Sequence, residues 1–155
     1  MSEGGSGLIL DVVIEDGNPA DSTLAVRSVK RVHEVTDKVF KKVAFDGGFA
    51  SKDNLEAIKS LGVEQVAFSK SRGIPVEDMV KNRRSYRKLR NFRAGIEGTI
   101  SWVKRCIGLR RCNWQGLGSF KAYVLASVLS ANLLIIVRKR AKEAAKQAQK
   151  LNRAA

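Results

Sequence analysis

KNRRSYRKLRNFRAGIEGTISWVKRCIGLRR, residues 81–111, is the stretch on which the reading of the whole chain turns. Its first thirteen residues hold seven cations (Lys81, Arg83, Arg84, Arg87, Lys88, Arg90 and Arg93) and no acid. One carboxylate, Glu97, follows, and then Trp102, Lys104, Arg105, Arg110 and Arg111. A lone acid in so basic a surface has two explanations. It can pair with Arg93 one helical turn earlier, a contact worth about 0.2–0.5 kcal/mol when exposed. Alternatively, the helix offers one carboxylate to a metal ion while its cations hold nucleic-acid phosphates. Composition alone favours the ion pair.

The charge of the whole chain fits a polyanionic partner. Against 15 acids stand 29 Lys and Arg, for a net charge of +14 and a pI of about 10.2. DNA, RNA and anionic membrane surfaces are the partners such an excess attracts. Aromatic residues are only 6% of the chain, so stacking on single-stranded bases is not the expected mode. Cys106, Cys112 and His33 are too few soft ligands for a structural zinc site, and reduced thiols are expected. MSEGGSG at the start has neither the basic region nor the apolar core of a signal peptide. At 155 residues the chain is expected to form one domain, or one domain with a tail.

Upstream of residue 81 the apolar pattern alternates between strand and helix. After a Gly-rich leader expected to be flexible over residues 1–7, Leu8 to Ile14 is a β-branched run. It is closed by the turn signal Asp16-Gly17-Asn18-Pro19. Asp21 then reads as the N-cap of an amphipathic helix to about Glu34, a simpler account than catalysis. His33, near that helix's end, reads as structural. Lys42 to Asp46 is a short apolar strand ending on an acid and followed by Gly47-Gly48. An acid at the carboxyl end of a buried strand sits at the sheet rim, where open α/β folds place chemistry. The glycines permit a tight turn and close approach of a ligand; the bland alternative is an ordinary Asp-Gly turn. Ser51 caps a helix from Lys52 to Leu61, and Gly62 ends it. Gln65 to Phe68 is a third strand, followed by the basic loop Ser69 to Gly73.

Downstream the pattern is helical. Lys81–Arg90 and Gly95–Cys106 form one bent helix or two. Ser119 is placed to cap a long helix from Phe120 to about Arg140, apolar nearly all round from Ala122 to Val137. Ser127, Ser130 and Asn132 interrupt that run, which is short for a membrane span, so a buried core helix is expected. Trp102 and Trp114 are expected to pack against it, and the two cysteines to be small half-buried hydrophobes. Residues 141–155 form a basic, helical or disordered tail. No internal repeat is visible.

Three pieces now stand in order: LILDVVIEDGNPADST, VAFDGGFASKDNLEAIKSLGVEQVAFSK and YRKLRNFRAGIEGTISWVKRCIGLRRCNWQGLGSFKAYVLASVLSANLL. Together they resemble the carboxyl-terminal part of a DDE transposase of the IS4/IS5-like insertion-sequence group, over roughly Gly7 to Arg138. The most specific segment is the run from Tyr86 through Arg93 and Glu97 to Lys104. The resemblance implies an α/β, RNase H-like fold in residues 8–140, here a short mixed sheet of about three strands with a helical second half. It implies that Asp46 and Glu97 are the second and third acids of a catalytic triad that holds Mg²⁺ or Mn²⁺. Two such ions activate the nucleophile and stabilise the leaving oxygen in an in-line displacement at phosphorus. Arg83, Arg84, Tyr86, Arg87, Lys88, Arg90, Arg93, Lys104 and Arg105 would contact double-stranded DNA.

One departure from the pattern shapes the functional expectation. The family's first aspartate lies on a strand upstream of the Leu8–Ile14 strand, and the sequence opens at Met1 without it. Asp11 lies mid-strand in the next family element and would start from the wrong strand. Three functions follow as expectations. The first is a DNA-binding transposase domain that is catalytically impaired alone. The second is a non-catalytic regulator that binds DNA, forms a homodimer or pairs with a full-length transposase. The third is a small basic membrane-active protein built on Ala122–Val137. A cytoplasmic, nucleoid-associated bacterial location, with no membrane partner, accompanies the first two.

Overall fold

A computed structural model describes residues 1–15, 17–109 and 111–154, and is mixed α/β. Asp16 of the expected turn and Arg110 of the basic stretch lie outside the described residues. In chain order the elements are β1 (Ser2–Glu3), β2 (Ile9–Asp11), α1 (Asp21–Thr36) and β3 (Lys42–Phe45), then a 3₁₀ turn (Gly47–Phe49). There follow α2 (Lys52–Ser60), β4 (Gln65–Phe68), α3 (Val76–Met79), α4 (Arg83–Cys106) and α5 (Leu117–Ala154).

The strands do not join into the expected mixed sheet of about three. β1 pairs antiparallel with β2, and β3 pairs parallel with β4, Lys42 opposite Gln65 and Phe45 opposite Phe68. Part of the expected leader is therefore strand. β2 is also shorter than the Leu8–Ile14 run, because β1 offers it only two residues to pair with. The parallel pair is the better covered. All four residues of β4 are buried, and α1, α2 and α3 pack around it with Ala25, Leu55, Ile58 and Met79. That near-continuous burial is what a parallel strand between crossover helices requires.

Helix starts follow side-chain chemistry in two places. The Ser51 hydroxyl accepts from the Asn54 N–H at 3.1 Å and the Asn82 side chain accepts from the Ser85 N–H at 2.8 Å. α1 differs from expectation: its N-cap is Ala20, without a side-chain cap, and Asp21 is the first helical residue. α4 is one continuous helix. The His33 Nε2 accepts from the Phe40 N–H at 3.1 Å and its ring stacks on Phe40, a structural role.

A second small core joins Ile9 of β2, Val103 of α4 and Ala131 of α5, with Trp102 and Val128 against it. The Asn132 side chain completes this junction. Its Oδ1 accepts from the Ile9 N–H at 2.9 Å and its Nδ2 donates to the Ile9 carbonyl at 2.8 Å, closing β2 as a neighbouring strand would. α5 is not the buried core helix expected from its composition. Val124, Ser127 and Ala131 are buried, but Leu125, Leu129, Leu133, Leu134 and Val137 are 40–62% exposed. Two-stranded sheets present too little surface to cover a helix on all sides, so only the stripe facing β2 and α4 is enclosed. By length and composition alone, Leu117–Lys150 would suffice to cross a membrane, which is weak evidence for a span. Trp102 lies under Arg138 of α5, while Trp114 is 5.9 Å from Tyr123 and mostly exposed. Cys106 is exposed rather than half-buried, and Cys112 is half-buried.

Candidate catalytic carboxylates and basic helix

Asp46 follows β3 directly, one residue past the last paired position. Its Oδ1 accepts from the Gly47 N–H and from the Ser69 hydroxyl, each at 2.7 Å. Ser69 follows directly on β4, so the parallel register brings donor and acceptor together at one end of the strand pair. The Ser69 hydroxyl, then the Gly47 N–H, hold the Asp46 carboxyl below the usual carboxylate range, with Arg93 and Lys70 adding to the effect.

Glu97 comes to the same place from α4. Arg93, 19% exposed, reaches from that helix over β3. Its Nη2 lies 2.9 Å from Asp46 Oδ2, and its Nη1 donates to Glu97 Oε1 at 2.5 Å. One guanidinium thus holds both candidate metal ligands. The i,i+4 pair that composition favoured is present, and so is the convergence of two carboxylates that composition did not show. Both acids remain accessible, Asp46 at 49% and Glu97 at 70% of the side chain.

The Gly47-Gly48 turn is crowded by the chain itself rather than left open to a ligand. A Cβ on Gly47 would stand 2.8 Å from Lys70 Cβ, and one on Gly48 would stand 2.2 Å from Asp21 Oδ2. Glycine is required here for close approach, not for a left-handed backbone. Ser69 and Lys70 are therefore the neighbours of Asp46 that sequence reading missed, and Asp21 packs against the adjoining Gly48. The signals lay in the two glycines, which mark a tight contact without naming its partner.

The cations of α4 divide by position. Arg83, Arg84, Arg87, Lys88, Arg90, Lys104 and Arg105 are exposed. At helical spacing Arg83, Arg87, Arg90, Lys104 and Arg105 share one broad face with Glu97. Arg84 and Lys88 lie further round the helix, Lys88 about opposite Glu97. Tyr86 belongs to the fold: its hydroxyl donates to the Phe68 carbonyl at 2.8 Å, and Arg90 lies over its ring. Asp11 is fully engaged elsewhere. Arg31 of α1 donates to both its oxygens at 3.0 Å, through Nε and Nη2, and this holds the carboxyl below its ordinary range.

The donor set suits a hard divalent cation. Mg²⁺ is commonly held by one or two carboxylates with water and substrate phosphate completing the shell. Asp46 and Glu97 already converge on one cationic group. Among the described residues there is no cluster of three or more His, Cys, Asp or Glu placed to hold a metal. Asp46 and Glu97 are thus the candidate pair of carboxylates at this place among the described residues.

Residues 1–133 match the family model of the transposase DDE domain, and the chain belongs to that family. The family points to DNA transposition, implies DNA as partner and is generally dependent on divalent metal. No curated protein and no solved structure matches the chain.

Proposed function

We propose that this chain is the carboxyl-terminal part of an RNase H-like catalytic domain of the IS4/IS5-like transposase group. It binds duplex DNA through the exposed face of α4 and supplies Asp46 and Glu97 as ligands to Mg²⁺ or Mn²⁺. One observation carries this reading: Arg93 draws an acid from the end of β3 and an acid from α4 onto a single cationic group. When bound, the metal supplies charge stabilisation at phosphorus. The chain's own residues orient the two carboxylates, through Ser69 and Gly47 at Asp46, and hold DNA phosphates beside them through Lys104 and its neighbours. Two carboxylates do not fix two ions about 4 Å apart, the spacing two-metal chemistry uses. These 155 residues alone are therefore impaired in cleavage, and a DNA-binding regulator is the second reading.

The exposed apolar stripe Leu125, Leu129, Leu133 and Val137 supports self-association or pairing with a full-length transposase. Metal-dependent nicking of duplex DNA by this chain, lost in Glu97→Gln, would establish catalysis. Salt-sensitive binding without nicking would establish the regulator.

A further inference from the structure

We propose that Arg93 is a shared latch that couples metal loading to DNA binding: its guanidinium occupies the carboxylates when both ligands are absent and moves to a DNA phosphate when the metal takes its place. The inference rests on the reading of Asp46 and Glu97 as metal ligands.

The geometry makes the competition direct. Arg93 uses Nη2 on Asp46 Oδ2 and Nη1 on Glu97 Oε1, so both arms of the fork are spent on one oxygen of each candidate ligand. Asp46 Oδ1 is already committed to Gly47 and Ser69. A divalent ion must therefore compete with Arg93 for Oδ2. The released guanidinium need not be buried without a partner. It stands on α4 one turn from Glu97, with exposed Arg90 one turn before it and exposed Lys104 about three turns further along the same face. A planar fork suited to carboxylate oxygens is equally suited to phosphate oxygens. DNA therefore draws Arg93 away from the acids, and metal entry frees it for DNA. By linkage each ligand strengthens the other by the same factor.

The two contacts are part-exposed ion pairs, so removing them should tighten metal binding by roughly three- to tenfold. The test is Mn²⁺ binding by calorimetry, with and without a short duplex, on wild type, Arg93→Gln, Arg93→Lys and Arg93→Gln/Glu97→Gln. Folding of each is checked by circular dichroism. Expected results are tighter Mn²⁺ binding in Arg93→Gln, its loss in the double variant, and a metal–DNA coupling factor that is smaller in Arg93→Gln than in wild type. Arg93→Lys keeps the charge but not the fork, and should fall between them. Mn²⁺ binding that depends on Glu97 but is unchanged or weaker in Arg93→Gln would overturn the latch and leave the metal site standing. Absence of Mn²⁺ binding in every variant would overturn the metal reading and the latch with it.

Discussion

Reversing Arg83, Arg84 and Arg87 to Glu is the perturbation that tests the basic face of α4 most quantitatively. Seven cations of that helix are exposed: Arg83, Arg84, Arg87, Lys88, Arg90, Lys104 and Arg105. For B-DNA, log K falls with log salt at a slope of about −0.9 per neutralised phosphate, so the five on the Glu97 face give a slope of about −4.5. Losing Arg83 and Arg87 from that face leaves a slope of about −2.7 and weakens binding at low salt most. The three side chains lie on the first turns of α4, are exposed, and form no ion pair among the described residues, so the fold should survive the change. Fluorescence anisotropy on a labelled duplex from 50 to 300 mM salt, on the order used to resolve such slopes, is the assay. An unchanged slope in a folded variant would refute α4 as the DNA-contacting surface and move attention to the α5 cations.

Four further outcomes follow. Asn132→Ala leaves the Ile9 N–H and carbonyl without partners, and should cost about 2 kcal/mol in urea unfolding, with faster hydrogen exchange at Ile9. Gly47→Ala forces a Cβ against Lys70 Cβ and should destabilise by about 1–3 kcal/mol while displacing the Asp46 turn; thermal melts unchanged from wild type would count against that packing. Asp11 and Asp46 both titrate below their ordinary range, with Arg31 and Ser69 as the main causes. Because the folded values are depressed, the stability these carboxylates contribute is whole above the ordinary aspartate value of 3.8 and is lost as pH falls below it. Asp11→Asn should flatten that acid limb. Leu129→Glu/Leu133→Glu should convert a self-associated species to monomer in sedimentation velocity, and a monomeric wild type would remove the α5 interface from the account.

How much of this was legible in the sequence depended on the range of the interactions. Local signals read well: Ser51 at the start of α2, Gly62 after it, and the four-residue runs of β3 and β4 are fixed by neighbours in the chain. Asp46 was legible as an acid at a strand's end, and Glu97 as the lone acid of a basic helix. Their convergence through Arg93 was not, because it depends on how α4 lies over β3. The two sheets were missed for the same reason. Strand pairing is a long-range choice, and nothing in Ser2-Glu3 announces that it will pair with Ile9–Asp11. α5 was misread because apolar composition does not say whether a covering surface exists. Asn132, taken as a polar interruption, instead satisfies both backbone groups of Ile9.

The central claim is that Asp46 and Glu97 form a working metal site beside bound DNA. Its most direct test is Mg²⁺- and Mn²⁺-dependent nicking of a labelled duplex by the wild-type chain and by Glu97→Gln, with salt-titrated binding measured on the same samples. The account predicts salt-sensitive binding by both proteins, with binding by Glu97→Gln equal or tighter because a negative charge near phosphate is removed. It predicts feeble, metal-dependent nicking in the wild type alone. Nicking that persists undiminished in Glu97→Gln, or binding lost with it, would contradict the site.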